Sequence, residues 1–305
     1  MSTALLTLPA AAAARTAAAM LATGAWHRYE TTRIAFANGN AMYLAAGPVP
    51  DELDILWAGA QDPGGALLDL ALTADCLWRA NPRLRARLIV PYLPYSRSVQ
   101  AEDGASLGAA VLLRLLDALP ALDEYAVFDP HAPQVVGFSR RPMRVLSCLP
   151  DVADWAGQRL GPVDVVVAPD SGRARACADL AARLGASTEV LLKQRLGHAD
   201  RARRVALARP AFDGARVLVF DDELTTGATL HAALDSLATA AQVHVVVART
   251  FAPADVVAGL LAHPVLTTLA TTELSDTAGL ARFGGPGLPV IGLPTAYKQL
   301  VGGHG

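Results

Sequence analysis

Residues 216–230 read RVLVFDDELTTGATL, and the order of residue types along them decides the architecture. Five apolar or strand-compatible residues, 216–220, have strand character. Two adjacent carboxylates, Asp221 and Asp222, follow them, then a short polar loop, then HAALDSLATA, which has the composition of a helix. A helix N-terminus carries unpaired N–H groups and a partial positive charge. A small loop placed there can wrap an anion. Thr225, Thr226 and Thr229 offer hydroxyls, while Gly227 and Ala228 let the backbone come close. Asp221 and Asp222 fall at the C-terminal end of the strand, where open α/β sheets bind ligands. The plain alternative is an ordinary cap, with Thr225 or Thr226 as N-cap and Asp222 or Glu223 favoured by the helix dipole. Two adjacent acids make a poor cap but a good grip on a diol.

Outward from this segment the theme repeats. The runs DILWAG, RLIVPYL, YAVFD, DVVVAPD, TEVLLK, VHVVVART and PVIGLP alternate with longer Ala/Leu-rich stretches. That alternation predicts βαβ units and mainly parallel sheets flanked by helices, an α/β fold. Several runs are apolar at consecutive positions, as strands covered on both faces require. A length of 305 residues suits two domains. The boundary is placed within 142–150, where RPMRVLSCLPDVADWAG opens a second strand and helix series. The expected domains are 1–145 and 146–305, with a C-terminal segment that could pack back on the first. Each half holds a strand ending in acid: Asp129 in the first, Asp170 and Asp221–Asp222 in the second.

Composition narrows the function classes. A net charge of −2 gives no electrostatic reason to expect nucleic acid. The hydrophobic share of 52% owes much to alanine, and no charge-free apolar run of about 18 residues predicts a membrane span. The start, LLTLPAAAAARTAAAMLATGA, has a signal-like composition, but no Lys or Arg precedes it and Pro9 and Arg15 interrupt it. A strand over 5–8 and a helix opened by Pro9 fit better. Cys76, Cys148 and Cys177 have neither disulfide nor metal spacing, which favours a reducing cytoplasm.

DDELTTGAT, residues 221–229, is similar to the phosphoribosyl-pyrophosphate (PRPP) binding motif shared by type I phosphoribosyltransferases and ribose-phosphate diphosphokinases, the PRPP synthetases. The motif alone does not choose between them. The rest of the chain resembles the synthetases, in order. FANGN (36–40) resembles their F-x-x-G-E segment, which contacts the nucleotide, and PYLPYSR (91–97) resembles P-Y-x-x-Y-A-R. FDPHAPQVVGF (128–138) resembles D-L-H-A-x-Q-I-Q-G-F, whose His belongs to the magnesium and ATP site. VVVAPDSGRARACADLAARLG resembles V-x-P-D-x-G-G-x-x-R-A, and LLKQR (191–195) the D-K-R-R run of the flexible catalytic loop. A transferase would match only the second half.

The resemblance implies two type I phosphoribosyltransferase-like domains, with ATP held between subunits of a homo-oligomer built from dimers, up to a hexamer. It implies transfer of pyrophosphate from ATP to the C1 hydroxyl of ribose 5-phosphate, giving PRPP and AMP with Mg²⁺. Phe36, Asn38, Asn40, Arg97, Ser98 and His131 fall on the ATP side. Asp221, Asp222, Thr225, Thr226, Gly227, Ala228 and Thr229 fall on the ribose 5-phosphate side. Lys193 and Arg195 would neutralise the transferred group, and His131 and Asp170 would hold the metal. Each has a plainer reading: a hydrogen-bonded structural histidine, a cap for the helix near Gly172, a solvated charged loop.

The chain departs from the family mainly on the nucleotide side. Asn40 stands for an acid, Ser98–Val99–Gln100 for Q-D-R, and Gln194 for a cation. In the sugar-phosphate loop Thr225 replaces the usual Asp, and Gly227–Ala228 inverts the usual A-G order. A changed nucleotide donor, a changed phosphorylated-ribose acceptor, a non-catalytic regulatory subunit and a PRPP-consuming transferase all stay open at this point.

Overall fold

The computed structural model describes residues 2–8, 13–59, 62–100, 104–191, 193–194, 203–204, 212–275 and 288–301. The chain divides into two units, Met1–Ser147 with Ala296–Gly305, and Cys148–Thr295.

In the first unit the chain runs β1 (Thr3–Leu8), α1 (Ala14–Ala22), β2 (Trp26–Arg28), β3 (Thr31–Ala35), β4 (Ala41–Ala45) and β5 (Glu52–Trp57). It continues as α2 (Pro63–Ala80), β6 (Arg85–Val90), α3 (Gly108–Asp117), β7 (Leu122–Phe128) and β8 (Met143–Leu146). The second unit runs α4 (Leu149–Arg159), β9 (Val165–Ala168), α5 (Ala174–Leu184), β10 (Ser187–Val190), β11 (Lys193–Gln194) and β12 (Arg203–Arg204). There follow β13 (Arg216–Leu224), α6 (Ala228–Ser236), β14 (Gln242–Thr250), α7 (Ala254–Leu261), β15 (Leu266–Thr272) and β16 (Val290–Ile291).

Each unit is built on one parallel six-stranded sheet, ordered β2-β1-β5-β6-β7-β8 in the first and β10-β9-β13-β14-β15-β16 in the second. Counted along the chain within its own unit, each order reads 2-1-3-4-5-6. An antiparallel hairpin follows the second strand in both, β3–β4 and β11–β12. The two halves therefore share one topology although their residues show no clear repeat. In this order the direction of winding reverses between strands 1 and 3, the place where open α/β sheets take their ligands. In the second unit that point lies between β9 and β13.

Continuous apolar strands form the cores, as burial on both faces demands. One core gathers Leu53, Ile55, Leu88, Leu113 and Tyr125, the other Val167, Val219, Leu234, Val245 and Leu260. The first sheet also buries charge. Asp54 on β5 accepts 2.9 and 2.7 Å hydrogen bonds from the Arg87 guanidinium on β6, and a 2.7 Å bond from Trp26 Nε1. Beyond Arg87, Glu124 on β7 pairs with Arg144 on β8. Acid and base thus alternate across four neighbouring strands. In the C-terminal part of the first unit, Tyr297 packs edge-on against Phe128 with ring centroids 6.0 Å apart.

Several elements differ from the sequence reading. The helix expected from Pro9 is described from Ala14, Pro9 itself lying outside the described residues. Met143–Leu146, read as opening the second series, is the last strand of the first sheet and pairs with β7. The β3–β4 hairpin and β15 were not expected. Strand β13 runs on through Asp221–Asp222 to Leu224, because its ladder to β14 continues as Glu223↔Arg249 and Leu224↔Thr250. Among the described residues no helix is long and apolar enough to cross a membrane, and the three cysteines form no disulfide.

Candidate functional site

In the second unit β9 leads into Pro169 and Asp170. Asp170 Oδ1 accepts a 3.0 Å hydrogen bond from Gly172 N–H and so caps the 3-10 turn Ser171–Arg173. The plain reading of Asp170 as a cap therefore holds for one oxygen. On the neighbouring strand, Asp221, Asp222 and Glu223 are all buried. Asp221 Oδ1 accepts from Asp222 N–H at 2.9 Å. Burial, then the negative charge of Asp222, with a smaller push from Asp170, raises the Asp221 carboxyl from 3.8 to about 8. The folded protein thus keeps a proton on Asp221 that the unfolded chain releases near its ordinary value. Folded binds more protons than unfolded between about pH 4 and 8, so this group's contribution to stability falls as pH rises through that window, by at most about 1.4 kcal/mol per unit. Urea midpoints at the two ends of the window should fall with pH in the unliganded protein. Asp221→Asn should flatten the fall; equal slopes in both proteins would contradict the shift.

After Leu224 the chain turns through Thr225 and Thr226, both exposed, into Gly227, which is buried at φ 74°. Gly227 is the N-cap of α6, and no side chain caps that helix. Neither Thr225 nor Thr226 serves as N-cap, so the ordinary-cap reading fails. A Cβ on Gly227 would lie 2.9 Å from Val256 Cγ1, which explains why the turn takes a glycine. The loop thus offers an uncapped helix N-terminus, exposed Thr hydroxyls and, one turn back, two buried carboxylates. That set can hold a phosphate and a neighbouring diol on one molecule.

Arg173 is the residue the sequence reading missed. Its Nη1 lies 3.3 Å from Asp222 Oδ2, with side-chain exposures of 11% and 4%. The signal was present: in PDSGRAR, Arg173 stands where the resembled pattern has its second Gly. Beneath the pair, the Cys177 thiol approaches the carbonyls of Val167 and Phe220 at 3.7 and 3.5 Å. Burial, with the charge of Asp221, pushes this thiol up to about 12, so it stays protonated and serves packing.

Of the two cations expected on the catalytic loop, Lys193 lies on β11, paired with Arg204 of β12. Arg195 lies outside the described residues.

The nucleotide-side residues belong to the first unit. FANGN is the turn of the β3–β4 hairpin: Phe36 N–H donates to Asn40 O at 2.8 Å, and Asn38 Oδ1 accepts from Asn40 N–H at 3.1 Å. Phe36 is 47% exposed at its base. Arg97 is exposed on the turn after β6. The Ser98 hydroxyl donates to Ser106 O at 3.0 Å and accepts from Gly108 N–H at 2.9 Å. Ser98 thus ties down the start of α3. His131 is half-buried just after β7. His131 and Asp170, the two expected metal ligands, belong to different units.

With this geometry in view, similarity to known proteins becomes informative. Residues 147–252 match the phosphoribosyl transferase domain family. A ribose-phosphate pyrophosphokinase of Streptomyces coelicolor is 29% identical over 213 residues, 69% of this chain and 63% of that protein. One from Aquifex aeolicus is 29% identical over 56% of this chain and 54% of its own length. A putative ribose-phosphate pyrophosphokinase 2 of Listeria monocytogenes is 30% identical over 69% and 63%. The chain is thus similar to ribose-phosphate pyrophosphokinases over more than half of its length. Its alignments span 54 to 63% of the length of these relatives. The fold match is wider: a phosphoribosylpyrophosphate synthetase structure from Mycobacterium smegmatis superposes with a TM-score of 0.81 over 98% of both chains at 22% identity. Both units of the chain are therefore covered by the fold of that synthetase.

Proposed function

We propose that the chain is a ribose-phosphate diphosphokinase, transferring the pyrophosphoryl group of ATP to the C1 hydroxyl of ribose 5-phosphate to give PRPP and AMP. The observation that carries the reading is the uncapped α6 N-terminus directly after the buried Asp221–Asp222 pair. In this reading Thr225–Thr229 take the 5-phosphate, and Asp221 and Asp222 take the ribose hydroxyls. In-line attack at phosphorus leaves little covalent work for a protein, so positioning and charge neutralisation dominate. Lys193 and Arg195 are assigned the neutralising role. Phe36, Asn38, Asn40, Arg97 and His131 are assigned to the nucleotide; Ser98 is assigned to holding its loop.

Carboxylate oxygens are hard donors that suit Mg²⁺, and the second Asp170 oxygen, not used in its cap, is of this type. Asp170 would contribute such an oxygen to the ion, which would neutralise phosphate oxygens when bound. The β3–β4 hairpin shows Phe36, Met42 and Leu44 at 47, 39 and 44% exposure, and Ile34 and Thr32 pair with Met42 and Leu44 on the same face. A two-stranded hairpin with one apolar face open suits burial against a second copy, which supports a homo-oligomer. A reducing cytoplasm fits the three thiols.

The test is nucleotide product analysis with Mg²⁺. AMP formed only when ribose 5-phosphate is present is the expected result. ADP as product, or no turnover across a panel of phosphorylated pentoses and nucleotides, would overturn the reading. A second reading, a non-catalytic subunit that binds an active synthetase, is favoured by Asn40 lacking a carboxylate and by Ser98 being engaged within its own loop. Its mark would be no ATP binding together with co-purification of another synthetase.

A further inference from the structure

The geometry points to Arg173 as a resident counter-cation of the sugar-phosphate site, which lets the second unit bind ribose 5-phosphate without help from a divalent ion. This inference rests on the sugar-phosphate reading above.

Asp170 follows β9 and Asp221 and Asp222 lie in the C-terminal half of β13, where they are 7 and 3% exposed. Carboxylates held away from water require a nearby positive charge or a proton. A bound divalent ion is one way to supply it. Here the chain supplies it: the Asp170-capped turn aims Arg173 inward, and its guanidinium meets Asp222 Oδ2 at 3.3 Å while the residue is 9% exposed. A guanidinium does not lose its proton in proteins, and its planar fork fixes the carboxylate it meets. Asp222 is thereby held in one orientation with its charge balanced, ready to accept a ribose hydroxyl. The same charge disfavours a cation at that carboxylate, since two positive charges a few ångströms apart repel strongly in a site with little water.

Two consequences can be measured separately in the full-length chain, with wild type compared with Arg173→Gly. First, ribose 5-phosphate binding is titrated calorimetrically in chelator and in Mg²⁺. Wild type should change by less than about threefold between the two, whereas Arg173→Gly should weaken about tenfold in chelator and recover with Mg²⁺. Second, Mn²⁺ binding is followed by its paramagnetic resonance signal with no sugar present. Arg173→Gly should bind Mn²⁺ about tenfold more tightly than wild type, and Arg173→Lys should stay near wild type. Should Arg173→Gly fail to fold, Arg173→Met keeps the buried stem and loses only the charge. An unchanged Mn²⁺ affinity in the charge-removed variant overturns the inference, leaving Arg173 a structural ion pair. Wild type that needs Mg²⁺ to bind the sugar overturns it as well. If wild type binds no ribose 5-phosphate in either buffer, the proposed function fails, while the Mn²⁺ comparison still decides the role of Arg173.

Discussion

Gly227→Val is expected to lower kcat/KM for ribose 5-phosphate at least about 100-fold while leaving the protein folded. Two independent costs meet at this position. The backbone sits at φ 74°, where a β-branched side chain is strained by about 1–2 kcal/mol or more. The new Cβ would also lie 2.9 Å from Val256 Cγ1, closer than side chains approach one another, and the added methyls worsen that contact. Either the loop shifts or α7 does. Because α7 packs on the second sheet through Val257 and Leu260, the loop should give first. The N–H groups that would meet the phosphate move with it, and a misplacement of about 1 Å is enough for a 100-fold loss. Sugar-phosphate binding by calorimetry and steady-state rates would check this, with thermal unfolding as the folding control. Wild-type affinity in the valine variant would remove the loop from the site.

Arg87→Met carries the largest expected effect on stability, a loss of about 3–5 kcal/mol in urea unfolding. Asp54 is 0% exposed and accepts from Arg87 Nε and Nη2 as well as from Trp26 Nε1. Removing the cation leaves a buried carboxylate without its guanidinium partner. Replacing both partners, Asp54→Leu with Arg87→Met, should restore most of the loss, since an apolar pair of similar volume carries no desolvation penalty. A single variant as stable as wild type would mean that the pair is not buried in solution. The contrast between single and double variants also separates charge burial from simple loss of packing.

The parallel architecture was legible because its signal is local. Runs such as RVLVFDD and VHVVVART hold several apolar residues at consecutive positions, as strands covered on both faces require. Strand β15, LTTLATT, lacks such a run, and its hydroxyls are satisfied by tertiary partners: Thr272 Oγ1 donates to Ala248 O at 2.6 Å. The β3–β4 hairpin was hidden for a different reason. FANGN resembles a nucleotide segment and is at the same time an Asn-Gly turn, which Gly39 closes at φ 85°. In the site, the Asp221–Thr229 loop could be read from residue order alone. The end of β13 could not, because acids rarely continue a buried strand and only the ladder to β14 carries them onward. Arg173 could not be placed either, since a cation in a Gly-rich turn reads as solvated until the fold puts Asp222 beside it. Ser98 looked like a ligand by position; its hydroxyl instead bridges Ser106 and Gly108 across a loop.

The central claim is that the intact pyrophosphoryl group moves to the sugar. The most direct measurement uses ATP labelled at the β-phosphorus, incubated with ribose 5-phosphate and Mg²⁺, with the products separated and counted. The account requires the label to leave the nucleotide and appear in a ribose carrying a 1-diphosphate as well as its 5-phosphate, with unlabelled AMP formed in equal amount. Label retained in ADP, or in ATP with no product, would contradict it.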